Sequence, residues 1–486
     1  MNLLSKLEEN MMFIGGKWRG SPENKLFPVK NPANIEEVVG SYEVGNRQTA
    51  RAALEAAQAV QKTWQNTPPR QRAHYLNRIN QLLLDNKEQL ARILTMENGK
   101  PIRESIGEVT AAAAHFEWFA EEGNRTYGRI IPQTNSAKRH LVMKQPIGVS
   151  ATVSPWNFPL VLFARKVAPA LAAGCAVVAR PASQTTLVAI AAMKLIETAG
   201  VPQGVLNLVT GPACDIVDEF LENPLCRKVS FTGSTQVGRA LTEKGASCVK
   251  HLSLELGGNA PAIVFNDADL EVAVKGVLGA KFRNNGQSCI AINRIYIHKD
   301  IIEAFTERFV AEVKRLKVGN GLEPDTDLGP MIDENSMNKF LRYVDDAVSK
   351  GGKLVYGGKR LSDGKYKKGY FASPAVITGA KENMACMCEE TFGPLAAISA
   401  FNTMEEVVEK ANATEHGLAA YIYTESTKTA FLAAEQIEAG TIGINDDVPS
   451  TTIAPFGGFK QSGLGRECGQ EGIEAFMEVK HISIVL

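Results

Sequence analysis

One cysteine lies in a setting that suits covalent chemistry. Cys289 ends the segment 285–289, Asn-Gly-Gln-Ser-Cys, after a helical pattern, and Gly286 allows the backbone to approach a substrate closely. A thiolate at this position can attack a carbonyl carbon. The alternative is a buried structural thiol, the usual role of a single cysteine. The motif by itself leaves both readings open.

Two polar residues would complement such a nucleophile. Glu255 ends an apolar strand pattern one residue before two glycines, where burial would raise its pKa toward the range of a general base. Asn157 lies in the segment 154–159, Ser-Pro-Trp-Asn-Phe-Pro, and a fixed side-chain amide between two prolines suits an oxyanion hole. The alternatives are an exposed charge at a strand end and an asparagine that only forms a turn.

A strand, a turn and a helix follow one another in the segment 229–238. Gly233 and Ser234 form the turn, so backbone N–H groups and the helix dipole face the space above them. This arrangement predicts a phosphate or pyrophosphate site. The segment lacks the full glycine fingerprint, and Ser234 is equally suited to be an ordinary helix cap.

The elements that position these residues alternate between strand and helix. Apolar residues three and four apart predict a helical layer over 47–123, and short β-type runs then alternate with helical ones. Five parallel strands with right-handed crossovers predict a doubly wound sheet. The predicted strands are 148–154, 176–180, 205–210, 228–232 and 249–255, and the predicted helices between them are 160–173, 185–199, 213–221 and 235–244.

A second α/β unit is predicted after Gly257 and Gly258, with a strand at 294–298 and a helix at 301–316. Two further strands, 139–145 and 479–486, lie outside both series; they either pair across a subunit boundary or form edge strands within one chain. The resulting division is 1–125 and 146–257 for nucleotide binding, 258–450 for catalysis, 126–145 and 473–486 for oligomerisation, and 451–472 as a segment returning to the nucleotide domain.

Composition excludes several other classes of protein. Among 486 residues, 53 basic side chains balance 53 acidic ones, so no net field favours nucleic acid or an acidic membrane as partner. The segment 160–179 is interrupted by charge and proline, and 1–20 lacks the pattern of a secretory signal, so we expect a cytoplasmic protein. The eight cysteines are too sparse for a disulfide framework, and no motif predicts a metal site.

Together these segments resemble the aldehyde dehydrogenase superfamily, and the resemblance runs from 13–18 to 455–463. It implies a Rossmann-type nucleotide-binding domain, an α/β catalytic domain and a small oligomerisation element, in a dimer or tetramer. It also implies that Cys289 is the nucleophile, that Glu255 activates the water that hydrolyses a thioester, and that Asn157 with the Cys289 N–H holds the oxyanion. We expect cofactor or substrate binding to depress the pKa of Cys289.

The cofactor site is likewise implied by the resemblance. Glu390 would bind the nicotinamide ribose and Phe392 would flank the ring. Many family members that prefer NAD have Glu where this chain has Ser183, and Arg180 replaces the usual Lys, so NADP should be accepted and NAD stays open. The expected cofactor contacts are Ser154, Trp156, Arg180, Ala182, Ser183, Gly211, Gly233, Ser234, Gly238, Leu256, Gly257, Glu390 and Phe392.

Two arginines indicate the substrate. The segments around Arg165 and Arg283 look like those that bind the distal carboxylate in succinate-semialdehyde dehydrogenases, which predicts a short aldehyde with a negative group at its far end. Ser450 or Thr451 would add a hydroxyl donor, whereas the neighbouring 446–447 acidic pair would oppose the anion. Two structural salt bridges are the alternative reading of the arginines.

Departures from that subfamily keep other substrates open. Ala291 stands where many relatives have a second cysteine, and the loop 446–452 also differs. Sulfolactaldehyde, glutarate semialdehyde and lactaldehyde are alternatives to succinate semialdehyde. Other classes to be distinguished are a cofactor-independent cysteine esterase, a dehydrogenase that acylates coenzyme A, and a non-catalytic binding protein. The close pair Cys386 and Cys388 is either a redox device or two reduced structural thiols.

Overall fold

The computed structural model of the protein describes Leu3 and residues 11–486. The prediction that 1–20 is not a secretory signal therefore falls partly outside the described residues. Before the first parallel strand come two β-hairpins, a helical layer and two strands of a separate sheet. These elements are β1 (Met12–Ile14), β2 (Lys17–Arg19), β3 (Leu26–Asn31), β4 (Asn34–Glu43), α1 (Arg47–Gln65), α2 (Pro69–Asp85), α3 (Lys87–Asn98), α4 (Ile102–Glu122), β5 (Arg129–Ile131) and β6 (Lys138–Pro146).

The predicted doubly wound unit is confirmed. Its five strands pair in parallel in the order β9-β8-β7-β10-β11, with β1 and β2 added at one edge and β21 (Gly463–Leu464) at the other. The observed bounds differ from the predicted ones by a few residues at most. They are β7 (Ser150–Val153), α5 (Pro159–Ala173), β8 (Val177–Arg180), α6 (Leu187–Thr198), β9 (Leu206–Leu208), α7 (Ala213–Glu222), β10 (Lys228–Thr232), α8 (Thr235–Gly245) and β11 (His251–Glu255).

The chain enters a second sheet directly after β11, past the glycine pair at 257–258. This seven-stranded sheet has the order β14-β15-β16-β13-β12-β18-β19, and only β14 runs antiparallel to its neighbour. The elements of this part of the chain are β12 (Ala260–Val264), α9 (Leu270–Phe282), β13 (Ile292–His298), α10 (Ile302–Arg315), α11 (Glu334–Ser349), β14 (Lys353–Tyr356), β15 (Ala375–Thr378), α12 (Ala385–Cys388), β16 (Leu395–Phe401), α13 (Met404–Asn412), β17 (His416–Gly417), β18 (Ala419–Tyr423), α14 (Thr427–Gln436) and β19 (Thr441–Ile444). Strand β17 lies outside the seven-stranded sheet and pairs with residues 459–460.

The last elements return to the earlier sheets. They are β20 (Phe459–Lys460), β21 (Gly463–Leu464), α15 (Gly469–Glu474) and β22 (Met477–Val485). Strand β21 pairs with β11 of the first sheet, and β22 pairs along its whole length with β6. The two strands that the sequence set apart thus pair with each other within one chain, in a three-stranded sheet with β5.

Buried carboxylates cap two helices that have no capping side chain of their own. Glu97 on α3 accepts hydrogen bonds from the N–H groups of Leu187 and Val188 at 2.8 and 3.0 Å, at the start of α6. Glu108 on α4 accepts from the first two N–H groups of α5, at 2.9 and 3.2 Å. An acceptor oxygen at a helix N-terminus satisfies N–H donors that have no partner within the helix. The helical layer therefore fixes the starts of the two helices that follow β7 and β8.

Candidate active site

The backbone before Cys289 turns sharply enough to bring the thiol back toward the first sheet. After α9, Asn284, Asn285 and Gly286 all have positive φ, at 48°, 58° and 72°. A Cβ on Gly286 would lie 2.3 Å from the carbonyl oxygen of Gly393, so only glycine fits this turn. The close approach that the structure shows at this glycine is to the backbone of Gly393, and the predicted approach of this segment to a substrate stays a prediction.

Cys289 lies where two cavities meet. One cavity, of about 290 Å³, is bounded by α4, α5 and the loop 448–452. The other, of about 190 Å³, is bounded by the loop after β7, the turn after β10, and the segment 390–392. Cys289 lines both cavities and is partly exposed, so its thiol can be reached from two sides.

The electrostatic surroundings of the thiol favour its neutral form. Burial raises the pKa of Cys289 well above its usual value, and the carboxylates of Glu255 and Glu390 raise it further, whereas Arg165 opposes them. A thiolate needs an added positive charge or the loss of these negative ones. That cofactor or substrate binding lowers the pKa stays a prediction.

Glu255 is a buried carboxylate at the end of β11. The residue is 2% exposed, which rules out the alternative of a solvent-exposed charge at a strand end. Neither of its oxygens accepts a hydrogen bond of good geometry from a described residue, although the Thr232 hydroxyl and the Cys289 thiol lie close enough to interact with the carboxyl group. Burial raises its pKa, as does the nearby Glu467, while Arg165 and Lys166 lower it. A carboxyl group with a raised pKa and a free acceptor is suited to take a proton from water.

Asn157 presents an amide to the same point. Its Nδ2 donates to the carbonyl of Gln287 at 3.2 Å, and the amide has a second N–H for another acceptor. The backbone N–H of Cys289 donates to no described residue. Since Asn157 and Cys289 both line the smaller cavity, two donors are available beside the thiol.

The smaller cavity gathers six of the residues predicted to contact the cofactor. They are Trp156, Gly233, Ser234, Gly257, Glu390 and Phe392. The rings of Trp156 and Phe392 meet edge to face with centroids 5.5 Å apart. Glu390 accepts a hydrogen bond from the N–H of Gly258 at 3.1 Å, and burial raises its pKa to about 7.

A second group of predicted cofactor residues lies at the ends of β8 and β9. Arg180 donates to the carbonyl oxygen of Gly211 at 2.7 Å and to the hydroxyl of Ser183 at 3.1 Å. Ser154 donates its N–H to the carbonyl of Arg180 at 3.2 Å, and Ala182 leads into the turn that contains Ser183. The Nε of Arg180 is buried and donates to no acceptor among the described residues.

Two predicted cofactor residues face elsewhere. Gly238 and Leu256 pack against each other, since a Cβ on the glycine would lie 2.6 Å from the leucine side chain. Both line a separate cleft with Arg239 and Gly463. The structure does not bring Gly238 and Leu256 into either of the two cavities that Cys289 lines.

All four predicted substrate residues line the larger cavity with Cys289: Arg165, Arg283, Ser450 and Thr451. Arg165 donates to Ser450 at 3.4 Å, and its guanidinium lies over Phe456 at 4.7 Å from the ring centre. Its Nε is buried and has no acceptor among the described residues. Neither arginine forms a salt bridge with a described residue, so the alternative of two structural salt bridges is wrong.

The acidic pair at the cavity mouth turns away from it. Asp446 accepts a hydrogen bond from the N–H of Val448, and the carboxylate of Asp447 lies against Gly279 on α9. Neither residue lines the larger cavity, although Val448 does. The expected opposition of these carboxylates to an anionic substrate is therefore weak.

Several residues of the site carried no recognisable sequence signal. Glu108 and His115 line the larger cavity from α4, and Lys100 and Glu467 are buried beside the candidate catalytic groups. All read as ordinary members of polar or helical segments, because which face of α4 meets the cavity is decided by tertiary packing. The signal that could have found Lys100 is a lysine between Gly and Pro at a helix junction, which is weak.

Comparison with known proteins decides the family. The model of the aldehyde dehydrogenase family matches residues 18–482. The chain belongs to the aldehyde dehydrogenase family. The resemblance found from the motifs is thus confirmed, as are the fold class and the assignment to NAD(P)-dependent oxidoreductases.

Individual relatives of this aldehyde dehydrogenase are similar over nearly the whole chain. It is 46% identical to 3-sulfolactaldehyde dehydrogenase of Pseudomonas putida, covering 98% of this chain and 97% of that protein. It is 44% identical to the NADP(+) succinate-semialdehyde dehydrogenase GabD of Escherichia coli, covering 99% of each chain. A crystal structure of succinate-semialdehyde dehydrogenase from Burkholderia pseudomallei is 45% identical and superposes with a TM-score of 0.96, covering 99% of each chain.

Other features of this aldehyde dehydrogenase concern metals, membranes and thiols. In the described part of the chain, no group of three or more potential ligands could hold a metal ion, and no helix has the length and apolarity to cross a bilayer. All eight cysteines are free. Burial raises the pKa of Cys386 to about 12, which disfavours a thiolate in its pair with the exposed Cys388.

Proposed function

We propose that this aldehyde dehydrogenase oxidises a short aldehyde with a distal anionic group, with succinate semialdehyde to succinate as the best assignment. The observation that carries the proposal is the larger cavity, in which two guanidinium groups face the same space as Cys289. Arg165 and Arg283 can bind a carboxylate through paired N–H donors, and Ser450 adds a hydroxyl. A cavity of about 290 Å³ fits a small aldehyde.

The relatives support this substrate class without separating its members. The names of the two proteins above specify a sulfonate in one case and a carboxylate in the other. Both substrates carry an anion at the far end from the aldehyde, and a guanidinium pair binds either. Sulfolactaldehyde, glutarate semialdehyde and lactaldehyde therefore stay as alternatives, the last differing because its distal group is neutral.

The chain's residues fit a nicotinamide nucleotide. A Cβ on Gly257 would lie 2.8 Å from Glu390, so only a glycine leaves this wall of the smaller cavity open. Ser234 caps the 11-residue helix α8, whose first N–H groups can face a phosphate. The cofactor, when bound, supplies the hydride acceptor. Trp156 and Phe392 would flank its ring, and Glu390 would accept hydrogen bonds from its ribose.

The protein's own groups account for the remaining steps. The Cys289 thiolate adds to the aldehyde carbon, and the oxygen that becomes negative is held by Asn157 Nδ2 and the Cys289 N–H. Loss of hydride from the same carbon leaves a thioester on Cys289. Glu255 then takes a proton from water, the hydroxide adds to the thioester, and the thiolate leaves with the acid as product.

A cysteine esterase would use the same three groups without any nucleotide. It does not explain why Cys289 lines a second cavity with the aromatic pair 156 and 392. Transfer of the acyl group to coenzyme A would leave Glu255 without a role. Hydrolysis after nucleotide reduction uses every group at the junction of the two cavities.

Removing one guanidinium tests the substrate assignment. Arg283→Ala should lower kcat/KM for succinate semialdehyde by about a hundredfold, because a paired charge-assisted contact is lost. The value for butanal, an uncharged aldehyde of the same chain length, should change by less than about threefold, since it makes no such contact. Formation of reduced nucleotide from NADP measures both. Equal turnover of the two aldehydes by the unmodified enzyme would contradict the assignment.

The choice of nucleotide depends on Ser183. The Ser183 hydroxyl, beside Arg180, can donate a hydrogen bond to a 2′-phosphate, whereas a carboxylate there would repel it. Ser183→Glu should therefore lower kcat/KM for NADP by about a hundredfold relative to NAD. Ser183→Gln is the matched control, because glutamine has the size of glutamate without its charge. It should change the ratio of kcat/KM for NADP to that for NAD far less. The same shift in both variants would show that size rather than charge decides.

The three-stranded sheet supports assembly. Its strands β5 and β22 expose several apolar side chains, Ile130, Val479 and Val485 among them, each at least 67% accessible. We infer that this sheet pairs subunits in a dimer or tetramer, that the first sheet serves as the nucleotide domain and that the second carries catalysis. A monomer in light scattering at micromolar concentration would contradict the assembly. A cytoplasmic location stays a prediction.

A further inference from the structure

A lysine with no assigned role lies behind the candidate oxyanion site. Lys100 follows α3 and precedes α4, and its side chain is completely buried. Its Nζ donates to Glu108 Oε2 at 2.6 Å, and the carboxylate is buried as well. A buried ammonium group is costly unless it is paired and hydrogen-bonded, so this pair must be held in one geometry.

The same ammonium group holds the backbone of Asn157. Lys100 Nζ donates to the carbonyl oxygen of Asn157 at 2.5 Å, and Asn284 Nδ2 donates to that oxygen at 2.9 Å. Beyond this carbonyl, the side-chain amide of Asn157 reaches Gln287 and the space beside Cys289. Moving the carbonyl would move the amide with it.

The pair also reaches the substrate side of the site. Glu108 Oε1 accepts from the first N–H groups of α5, the helix that carries Arg165. The ring of Phe158 lies 3.9 Å from Lys100 Nζ and 5.4 Å from the Arg283 guanidinium, measured from its centre. The buried Lys100–Glu108 pair thus connects the loop that carries Asn157 with both arginines of the larger cavity.

We propose that Lys100 and Glu108 are positioning residues that set the Asn157 amide at the place where the oxyanion forms. The inference rests on the proposed role of Asn157 in the oxidation. Lys100 lines neither cavity and donates to the Asn157 carbonyl, so it acts through the asparagine backbone. Misplacing a hydrogen-bond donor by about 1 Å is sufficient to slow an enzyme about a hundredfold.

A double-mutant cycle separates positioning from general stabilisation. The rate of hydride transfer is measured in a single turnover with NADP and succinate semialdehyde, for Lys100→Met, Asn157→Ala and the double variant. When Asn157 is intact, Lys100→Met should slow hydride transfer by about ten- to a hundredfold. With alanine at position 157 no amide is left to position, so the further loss should be less than about threefold.

The outcomes distinguish this inference from the proposed function. If Lys100→Met slows hydride transfer equally in both backgrounds, or in neither, the positioning role is overturned. If Asn157→Ala leaves the rate unchanged, the proposed oxyanion donor itself is wrong. The dissociation constant of NADPH, followed by fluorescence, should stay within about threefold in Lys100→Met, since Lys100 does not line the smaller cavity.

A second variant covers the case in which Lys100→Met does not fold. Lys100→Met combined with Glu108→Gln removes both charges and keeps an acceptor for the start of α5. Exchange of a buried ion pair for neutral groups is often tolerated, whereas loss of one partner is not. This variant should melt close to the unmodified enzyme and still show slow hydride transfer. Normal hydride transfer in the folded neutral variant would overturn the inference.

Discussion

Cys289→Ser should lower the formation of NADPH from succinate semialdehyde by at least about a thousandfold. A serine hydroxyl is a far weaker nucleophile at neutral pH, and the two carboxylates near this position further disfavour an anion there. The mutation changes one atom and leaves the turn at 284–286 intact. Steady-state absorbance of the reduced nucleotide measures the effect, and NADPH binding should be retained.

Cys248→Ser is the matched control for this change. Cys248 is an exposed, free thiol beside β11, and it lines neither cavity described above. Its replacement should leave kcat/KM within about twofold, as for most surface substitutions. Substantial NADPH formation by Cys289→Ser would require another nucleophile and would overturn the covalent mechanism.

Glu255→Gln should separate the two halves of the reaction. Addition of the thiolate and hydride transfer do not need this carboxylate, so one equivalent of NADPH should appear rapidly. Hydrolysis of the thioester needs a base, and steady-state turnover should fall by about 10² to 10⁴. Stopped-flow absorbance would show a burst per active site followed by a slow phase. An exposed carboxylate, Glu425, provides the control: Glu425→Gln should show normal turnover.

The pH dependence of hydrolysis follows from the same residue. Burial raises the pKa of Glu255, so its carboxyl is protonated and unable to act as a base until the pH exceeds this raised value. Steady-state turnover should therefore rise with pH, with its acid limb above the usual range of a glutamate. Glu255→Gln should lose this limb. A slow burst, or an unchanged acid limb, in the variant would contradict the assignment.

The sequence predicted the first sheet nearly to the residue because each strand is a short apolar run bounded by turns. Strand β10 has its predicted bounds, and β11 begins two residues later than expected because Val249 has a positive φ. A left-handed residue of this type ends a turn and cannot begin a strand. The pairing of β6 with β22 could not be predicted from the sequence, since hundreds of residues separate the two strands. Periodicity indicates that a segment is a strand, but it does not indicate which strand pairs with it.

The site itself was predicted through resemblance more than through local pattern. Arg165 lies on α5 beside the first sheet and Arg283 directly follows α9 of the second, and nothing in their spacing places them in one cavity. Lys100, between two helices, and His115, on α4, were missed because buried polar residues in such segments look like exposed ones until the packing is known. Gly238 and Leu256, which the resemblance placed at the cofactor, line another cleft in the structure.

The most direct test of the central claim is to trap the intermediate. Glu255→Gln is mixed with NADP and succinate semialdehyde, quenched in acid after the burst, digested, and analysed by mass spectrometry. The peptide that contains Cys289 should carry one succinyl group, in an amount equal to the NADPH formed. NADPH formed without acylation of Cys289, or acylation at another cysteine, would contradict the thioester mechanism proposed for this enzyme.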